Sequence, residues 1–192
     1  MGLIITGCNE EPKYVGMKSR LVNSIRANAP EQEVQDIVFV GYSREESAVA
    51  RVKLFQRAFQ SGWEQVGWLD VDTLVRGPLD EFWADVEPGV LKILYRPTLV
   101  ERSKFNTGVM AIGKSPGAEL MVADWLRGVN KNNKWYRDQK CLWQAWDNSD
   151  IGLVPLPMRF NDHHFDKDSV IWHAKGHCRE DSRWKRESEK YA

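Results

Sequence analysis

The sequence lacks the features that would place the chain in a membrane, in a disulfide-rich scaffold or among strongly basic nucleic-acid-binding proteins. Its longest apolar runs are a handful of residues, which excludes a membrane-spanning helix. No basic segment followed by a long apolar stretch opens the chain, so no signal peptide is expected. The three cysteines form no CxxC pair and predict free thiols in a reducing, cytoplasmic compartment. Because 27 basic residues balance 27 acidic ones, no general attraction to nucleic acid is expected.

The chain has the length and composition of one globular domain. It contains 192 residues, of which 42% are hydrophobic, and no repeat or linker divides it. After residue 178 basic and acidic side chains are interspersed up to Lys190. We therefore predict a domain over residues 1–178 and a charged tail or terminal helix over residues 179–192.

Strand and helix patterns alternate along the chain. Short apolar runs predict strands at residues 3–6, 36–40, 66–69, 90–95, 109–112, 151–154 and 169–172. Between them, helical periodicity predicts a helix near residues 17–25, a second that begins with a capping box of Ser43 and Glu46, a third from Pro116 to about Gly128, and a short one after Asp138. This alternation predicts an α/β fold with a largely parallel sheet flanked by helices.

Two carboxylates follow the third predicted strand. Asp70 and Asp72 come one residue apart after the apolar run that ends at Leu69. The carboxyl ends of strands in an open α/β sheet are where ligands bind, and carboxylate oxygens are good ligands for Mg²⁺ or Mn²⁺. Such an ion can also bind a diphosphate. The alternative is that both side chains only cap and solvate the turn.

A haloacid-dehalogenase-type phosphatase also carries a DxD after its first strand, with the first Asp as nucleophile. That signature has Thr or Val two residues after the second Asp, whereas here Thr73 follows Asp72 directly and Leu74 takes the next place. No paired acidic motif follows near a later strand end. The pattern fits a phosphatase poorly.

A second family fits better. From about Leu3 to Gly176 the chain resembles a GT-A-fold glycosyltransferase of the glycogenin-like family 8. The segments that carry this resemblance, in chain order, are Ile4-Ile5-Thr6-Gly7-Cys8-Asn9 with Tyr14, Ala50-Arg51-Val52, Trp68-Leu69-Asp70-Val71-Asp72-Thr73, Phe105-Asn106-Thr107-Gly108-Val109, Asp138-Gln139, Leu156-Pro157-Met158-Arg159-Phe160-Asn161 and Ile171-Trp172-His173-Ala174-Lys175-Gly176. Where the family continues to a phosphate-binding Lys, this chain has His177-Cys178-Arg179, so Lys175 and Arg179 are the expected substitutes.

The resemblance implies roles for several residues of these segments. Asp72 and His173 would bind the metal, and Asp70 would share that role or hold the ribose. The single imidazole favours Mn²⁺ over Mg²⁺. Asp138 and Gln139 would act on the transferred sugar, although Asp138 could instead cap the following helix. The donor would contact Thr6, Gly7, Asn9, Tyr14, Arg51, Asp70, Asn106, Gly108, Lys175, Gly176 and Arg179.

The predicted function is a metal-dependent transfer of a hexose from a nucleotide sugar, UDP-linked by resemblance, to a glycan, protein or small-molecule acceptor. The resemblance also implies that the anomeric configuration is retained. Two alternatives stay open, a haloacid-dehalogenase-type phosphatase and a non-catalytic module that binds nucleotide or sugar. His163 and His164 have no ligand spacing and are predicted to be surface or acceptor-side residues.

Overall fold

The computed structural model describes residues 2–131 and 137–192. In these ranges the strands are β1 (Leu3–Asn9), β2 (Glu33–Phe39), β3 (Gln65–Leu69), β4 (Thr73–Val75), β5 (Val90–Tyr95), β6 (Phe105–Gly113), β7 (Gly152–Pro155) and β8 (Ile171–His173). The helices are α1 (Pro12–Asn28), α2 (Arg44–Gln60), α3 (Asp80–Trp83), α4 (Glu101–Lys104), α5 (Pro116–Lys131), α6 (Arg137–Asp147) and α7 (Ser182–Glu189). Two short 3-10 helices span Met158–Phe160 and Gly176–Glu180.

Six strands form one mixed sheet in the order β2-β1-β3-β6-β5-β7. The neighbours of β1 are both parallel to it, and β7 is parallel to β5. Only β6 runs antiparallel to its neighbours, β3 and β5. The predicted mixed, mostly parallel sheet is confirmed. The last predicted strand lies outside this sheet, however, because β8 pairs with β4 in a separate two-stranded sheet.

Helices cover both faces of the main sheet. Side chains of α2, α5 and α6, among them Phe55 and Trp125, pack on one face against Ile5 of β1. On the other face Leu21 of α1 and Phe82 of α3 belong to a second apolar cluster. Because consecutive side chains of a strand point to opposite faces, β1 contributes to both clusters.

The antiparallel strand β6 bulges where it leaves β5. Ile93 of β5 is paired with Met110, but the next residue, Leu94, is paired with Asn106. Residues 107–109 of β6 therefore have no partner on β5, although Val109 still pairs with Leu69 of β3. The bulge turns the backbone of Thr107 and Gly108 toward the end of β3. A β-bulge is a common device for redirecting a strand beside a site.

The predicted start of α2 is confirmed, whereas the predicted end of α5 is wrong. Ser43 Oγ accepts from the Glu46 amide at 3.1 Å, and the Glu46 carboxylate accepts from the Ser43 amide at 2.8 Å. Helix α5 continues through Gly128 to Lys131. A Cβ at Gly128 would lie 3.1 Å from Cys141 Cβ. Gly128 thus serves close packing of α5 against α6 rather than helix termination.

The charged C-terminal residues fold as helix α7 and pack on the domain. Trp184 is buried, with its ring 5.8 Å from that of Phe165. Arg76 is ion-paired with Glu187 at 3.6 Å, and the side-chain amide of Asn28 donates to the Tyr191 hydroxyl at 3.1 Å. None of the helices in the described residues is long and apolar enough to cross a bilayer.

Candidate active site

A cavity of about 400 Å³ opens at the carboxyl ends of β1 and β3. Because β6 runs the other way, its bulged N-terminal half reaches this same edge of the sheet. The first turns of α2 and α6 and the segment after β8 complete the wall. Cavities of this volume are typical of small-molecule sites.

Three candidate metal ligands meet in this cavity. One ligand atom from each of Asp70, Asp72 and His173 lies within 4.8 Å of the others, and this is the one such group of three or more found in the described ranges. The pairing of β4 with β8 brings them together, because Thr73 is opposite His173 and the Asp72 carbonyl accepts from the Ala174 amide at 2.8 Å. The structure thus brings together the three residues predicted to bind a metal.

A hydrogen bond from Nδ1 orients the His173 ring. Its Nδ1 lies 2.8 Å from the Asn161 side-chain oxygen, an acceptor, so Nδ1 carries the proton and donates. Nε2 lies 3.3 Å from Asp72 Oδ1 and 3.9 Å from Asp70 Oδ2. When it carries a proton it donates to Asp72, and when it has lost that proton its lone pair would be available to a cation between the three side chains. Histidine ligands of metals are held by such a bond from the second ring nitrogen. The two carboxylates and the imidazole therefore fit a divalent cation.

Gly108 leaves the space that these ligands need. A Cβ at this position would lie 2.2 Å from His173 Cε1 and 2.9 Å from Asp70 Oδ2. The Gly108 carbonyl also accepts from the Asp70 amide at 2.7 Å. Gly108 thus packs directly beneath His173 and Asp70 and does not line the cavity itself.

Asp72 is the more buried of the two aspartates and is paired with a cation. Arg179 donates to Asp72 Oδ2 from Nη2 at 2.5 Å and from Nε at 3.2 Å. Burial alone would raise the pKa of Asp72, but the charges of and hydrogen bonds from His173 and Arg179 hold it well below its usual range. Burial would likewise lower the pKa of Arg179, and the carboxylate of Asp72 more than reverses this. Asp72 is therefore ionised.

A second hydrogen-bond network holds Arg51 and Asp138 beside the three candidate metal ligands. Arg51 Nη2 donates to Asp138 Oδ2, and Nη1 donates to the Thr107 carbonyl at 3.4 Å and reaches Asp70 Oδ1 at 3.5 Å. The Thr107 hydroxyl also donates to Asp138 at 3.1 Å. Only 6% of Arg51 is exposed, so its guanidinium is held inside the site and not in solvent. The bulge in β6 supplies Thr107 to this network.

Most of the residues predicted from the sequence line the cavity. They are Gly7, Asn9, Tyr14, Arg51, Asp70, Asp72, Asp138, Gln139, His173, Lys175, Gly176 and Arg179.

Three predicted donor-binding residues, Thr6, Asn106 and Gly108, do not line it. Thr6 is wholly buried in β1, because its side chain points away from the face that Gly7 presents to the cavity. Asn106 is 1% exposed and accepts from the Gly108 amide at 3.1 Å, so it shapes the bulge from beneath. Direct contact of these three residues with the donor stays a prediction.

The sequence did not predict that His163 lies behind the three candidate metal ligands. His163 Nδ1 donates to the His173 carbonyl at 2.8 Å, and its Nε2 accepts from the side-chain nitrogen of Asn106 at 3.2 Å. Burial, followed by the charge of His173, lowers the pKa of His163 to about 4. His163 is thus neutral and supports the ligand strand, whereas His164 is exposed, as predicted.

Trp68 was also missed as a site residue. Its Nε1 donates to Asp70 Oδ1 at 2.7 Å, which aims the other oxygen of Asp70 at His173. A signal was present, because residues two apart on a strand share a face. Asn161 was marked only as the end of the family-like segment of residues 156–161, and no signal pointed to His163.

Comparison with known proteins supports the fold. No protein-family model matches the sequence, and no curated protein does. Among solved structures, a glycosyltransferase involved in the glycosylation of the major capsid of PBCV-1 has a TM-score of 0.72 at 16% identity, over 97% of this chain and 100% of that one. The galactosyltransferase LgtC, in complex with donor and acceptor sugar analogs, has a TM-score of 0.61 at 16% identity, over 98% and 95%. GlyE of Streptococcus pneumoniae has a TM-score of 0.58 at 16% identity, over 91% and 54%.

These likenesses confirm the predicted fold. The chain has the GT-A fold, and the resemblance to glycogenin-like family 8 enzymes extends to the arrangement of its sheet and helices.

Proposed function

We propose that the protein is a metal-dependent glycosyltransferase that moves a hexose from a nucleotide sugar to an acceptor. The observation that carries this proposal is the Asp70, Asp72 and His173 cluster in the cavity of a GT-A fold. The similar structures named above are glycosyltransferases, and one of them is a galactosyltransferase, which supports a hexose as the transferred group.

The chemistry requires a positive charge at the leaving group. When a sugar leaves a nucleoside diphosphate, negative charge develops on the diphosphate, and a bound divalent cation stabilises it. Asp70, Asp72 and His173 would hold that cation. Mixed carboxylate and imidazole ligands favour Mn²⁺, and Mg²⁺ is the second candidate. Lys175 and Arg179 line the same cavity and would add positive charge beside the phosphates.

The nucleoside and the sugar would occupy opposite ends of the cavity. Gly7 and Asn9 of β1 and Tyr14 of α1 line one end and would hold the nucleoside, which we propose is uridine from the family resemblance. Asp138 and Gln139 line the end formed by α6. Because Arg51 fixes the Asp138 carboxylate, that carboxylate is oriented to accept a hydrogen bond from a sugar hydroxyl. Gln139 would lie nearest the anomeric carbon, and we propose that its configuration is retained.

The acceptor is a glycan, a protein or a small molecule, and nucleic acid is not proposed because the charges of the chain balance. A cytoplasmic location is proposed from the cysteines, since Cys8, Cys141 and Cys178 are all free.

Donor hydrolysis tests the proposal. UDP release from UDP-hexoses is measured with and without Mn²⁺ for the wild type, Asp72→Asn and the control Asp124→Asn, which changes an exposed carboxylate on α5. We expect Mn²⁺-dependent release that Asp72→Asn lowers by at least roughly 100-fold, because it removes charge from a ligand. Equal release by Asp72→Asn and the control would refute the metal site.

The same preparation separates the alternatives. Turnover of a phosphomonoester with none of UDP-hexoses would favour the phosphatase. Calorimetric binding of UDP with no donor cleavage, across a panel of acceptors, would favour a non-catalytic binding module.

A further inference from the structure

Arg179 occupies one oxygen of a proposed metal ligand. Both of its hydrogen bonds to Asp72, from Nε and Nη2, end on Oδ2, whereas Oδ1 faces His173. Asp72 is 5% exposed, so little water competes for either oxygen. The negative charge of this ligand is therefore already neutralised by a cation of the chain itself.

The segment that carries Arg179 is held on both sides. It is the 3-10 helix Gly176–Glu180, which lies between β8 and α7. Helix α7 is anchored by buried Trp184 on Phe165, and β8 by its pairing with β4. The side chain of Arg179 is 23% exposed and borders the cavity, so its guanidinium can turn toward a ligand without movement of its backbone.

The charges around Asp72 favour binding of a divalent cation together with a diphosphate over binding of the cation alone. Asp70 and Asp72 together carry two negative charges. Arg179 is paired with Asp72 at 2.5 Å, whereas Arg51 lies 3.5 Å from Asp70 Oδ1 and is itself paired with Asp138. A divalent cation beside Asp72 Oδ1 would lie close to the guanidinium, and like charges a few ångströms apart in a partly buried site repel strongly. A diphosphate carries the negative charge that both cations need.

We propose that Arg179 is a built-in counter-ion of Asp72 that makes divalent-cation binding depend on the diphosphate of the donor. This inference rests on the proposed function. Without donor, Arg179 neutralises Asp72 and opposes the metal. With donor, the diphosphate gives the guanidinium a second partner and removes that opposition. Because coupling is reciprocal, the metal must raise the affinity for diphosphate by the same factor.

A purely orienting role for Arg179 predicts the opposite sign. If Arg179 only held Asp72 in position, its removal would weaken Mn²⁺ binding under every condition. If it is a counter-ion, its removal strengthens the binding of Mn²⁺ alone and weakens the binding of UDP in the presence of Mn²⁺. The two roles are thus separated by equilibrium binding, without any measurement of catalysis.

The experiment is isothermal titration of Mn²⁺ into the protein with and without saturating UDP, and of UDP into the Mn²⁺-loaded protein. The variants are Arg179→Gln, Arg179→Lys and the control Arg183→Gln, which makes the same chemical change at an exposed arginine paired with Asp181. For Arg179→Gln we expect Mn²⁺ alone to bind about tenfold more tightly and the factor by which UDP raises Mn²⁺ affinity to fall at least about fivefold, within the usual range of coupling. Arg179→Lys keeps the charge and should retain most of the coupling. Arg183→Gln should match the wild type.

If Arg179→Gln is less stable than the wild type, thermal unfolding with and without Mn²⁺ still tests the proposal. Mn²⁺ alone should raise its Tm more than that of the wild type, because a ligand that binds the native state stabilises it according to its affinity. Weaker or unchanged Mn²⁺ binding by Arg179→Gln, or unchanged coupling, would overturn this inference alone. No Mn²⁺ binding by the wild type, even with UDP, would overturn the proposed function and the inference together.

Discussion

Replacing Gly108 with alanine is the sharpest test of the metal cluster. The added Cβ would lie 2.2 Å from His173 Cε1, and ordinary contact begins near 3.4 Å. The His173 ring or the strand β6 must therefore move by about 1.2 Å. Neither moves easily, because His173 is 1% exposed and β6 is buried along its whole length.

The magnitude follows from two contributions. Overpacking a buried site costs about 1–3 kcal/mol, and loss of the hydrogen bond between His173 and Asn161 costs about 1 kcal/mol more. The free energy of unfolding should fall by roughly 2–4 kcal/mol, which lowers Tm by roughly 4–16 °C in a chain of this size. Metal binding should suffer more, since ligand distances tolerate only about 0.2 Å. We expect Mn²⁺ affinity to fall at least roughly 100-fold.

The assays are titration calorimetry with Mn²⁺ and thermal unfolding without metal. Gly16→Ala is the matched control, because a Cβ on this residue of α1 meets nothing within 4 Å. It should raise the free energy of unfolding by about 0.4–1 kcal/mol and leave Mn²⁺ binding unchanged. Wild-type Mn²⁺ affinity in Gly108→Ala would refute the reasoning, because the ligands would then not depend on this space.

Three further substitutions test other parts of the structure. Trp184→Ala should lower the free energy of unfolding by about 3–5 kcal/mol in urea titrations, since its ring packs on Phe165; a solvated tail would give no change. Lys92→Met should cost about 2–3 kcal/mol in the same assay, because buried Lys92 donates to the Glu81 and Ala84 carbonyls; an unchanged midpoint would contradict this. Burial lowers the pKa of His163 from 6.5 to about 4, so the unfolded chain takes up a proton that the folded chain rejects, and metal-free stability should fall as pH drops from 6.5 to 4. His163→Gln, which can keep both hydrogen bonds, should flatten that decline, and an equally steep decline would exclude His163 as its cause.

Features with a local cause were predictable from the sequence. The capping box at Ser43 and Glu46 and the strand at residues 90–95 depend on neighbours in the chain, and both are present as predicted. The end of α5 was not predictable in this way. Gly128 is a helix terminator by residue type, but its contact with Cys141 on the next helix decides its role.

In the candidate site too, residues marked by a local pattern or by the family resemblance were predicted, and contacts set by the tertiary structure were not. Asp70 and Asp72 were found because a DxD after an apolar strand is a local pattern, and His173 because the family resemblance supplied it. The positions of Thr6 and Asn106 depend on which side of a strand faces the cavity, and this was not read from the sequence. The contact between Asp72 and Arg179 joins residues 107 positions apart, so no spacing rule could suggest it.

The order of the chain has a consequence for how the protein is made. The aspartates Asp70 and Asp72 leave the ribosome long before His173 and Arg179, which come from the segment where β8 and the following 3-10 helix form. A nascent polypeptide therefore exposes two carboxylates with neither the imidazole nor the guanidinium that completes their surroundings. Binding of a metal ion by all three proposed ligands would therefore have to wait until the segment with β8 has been synthesised and pairs with β4.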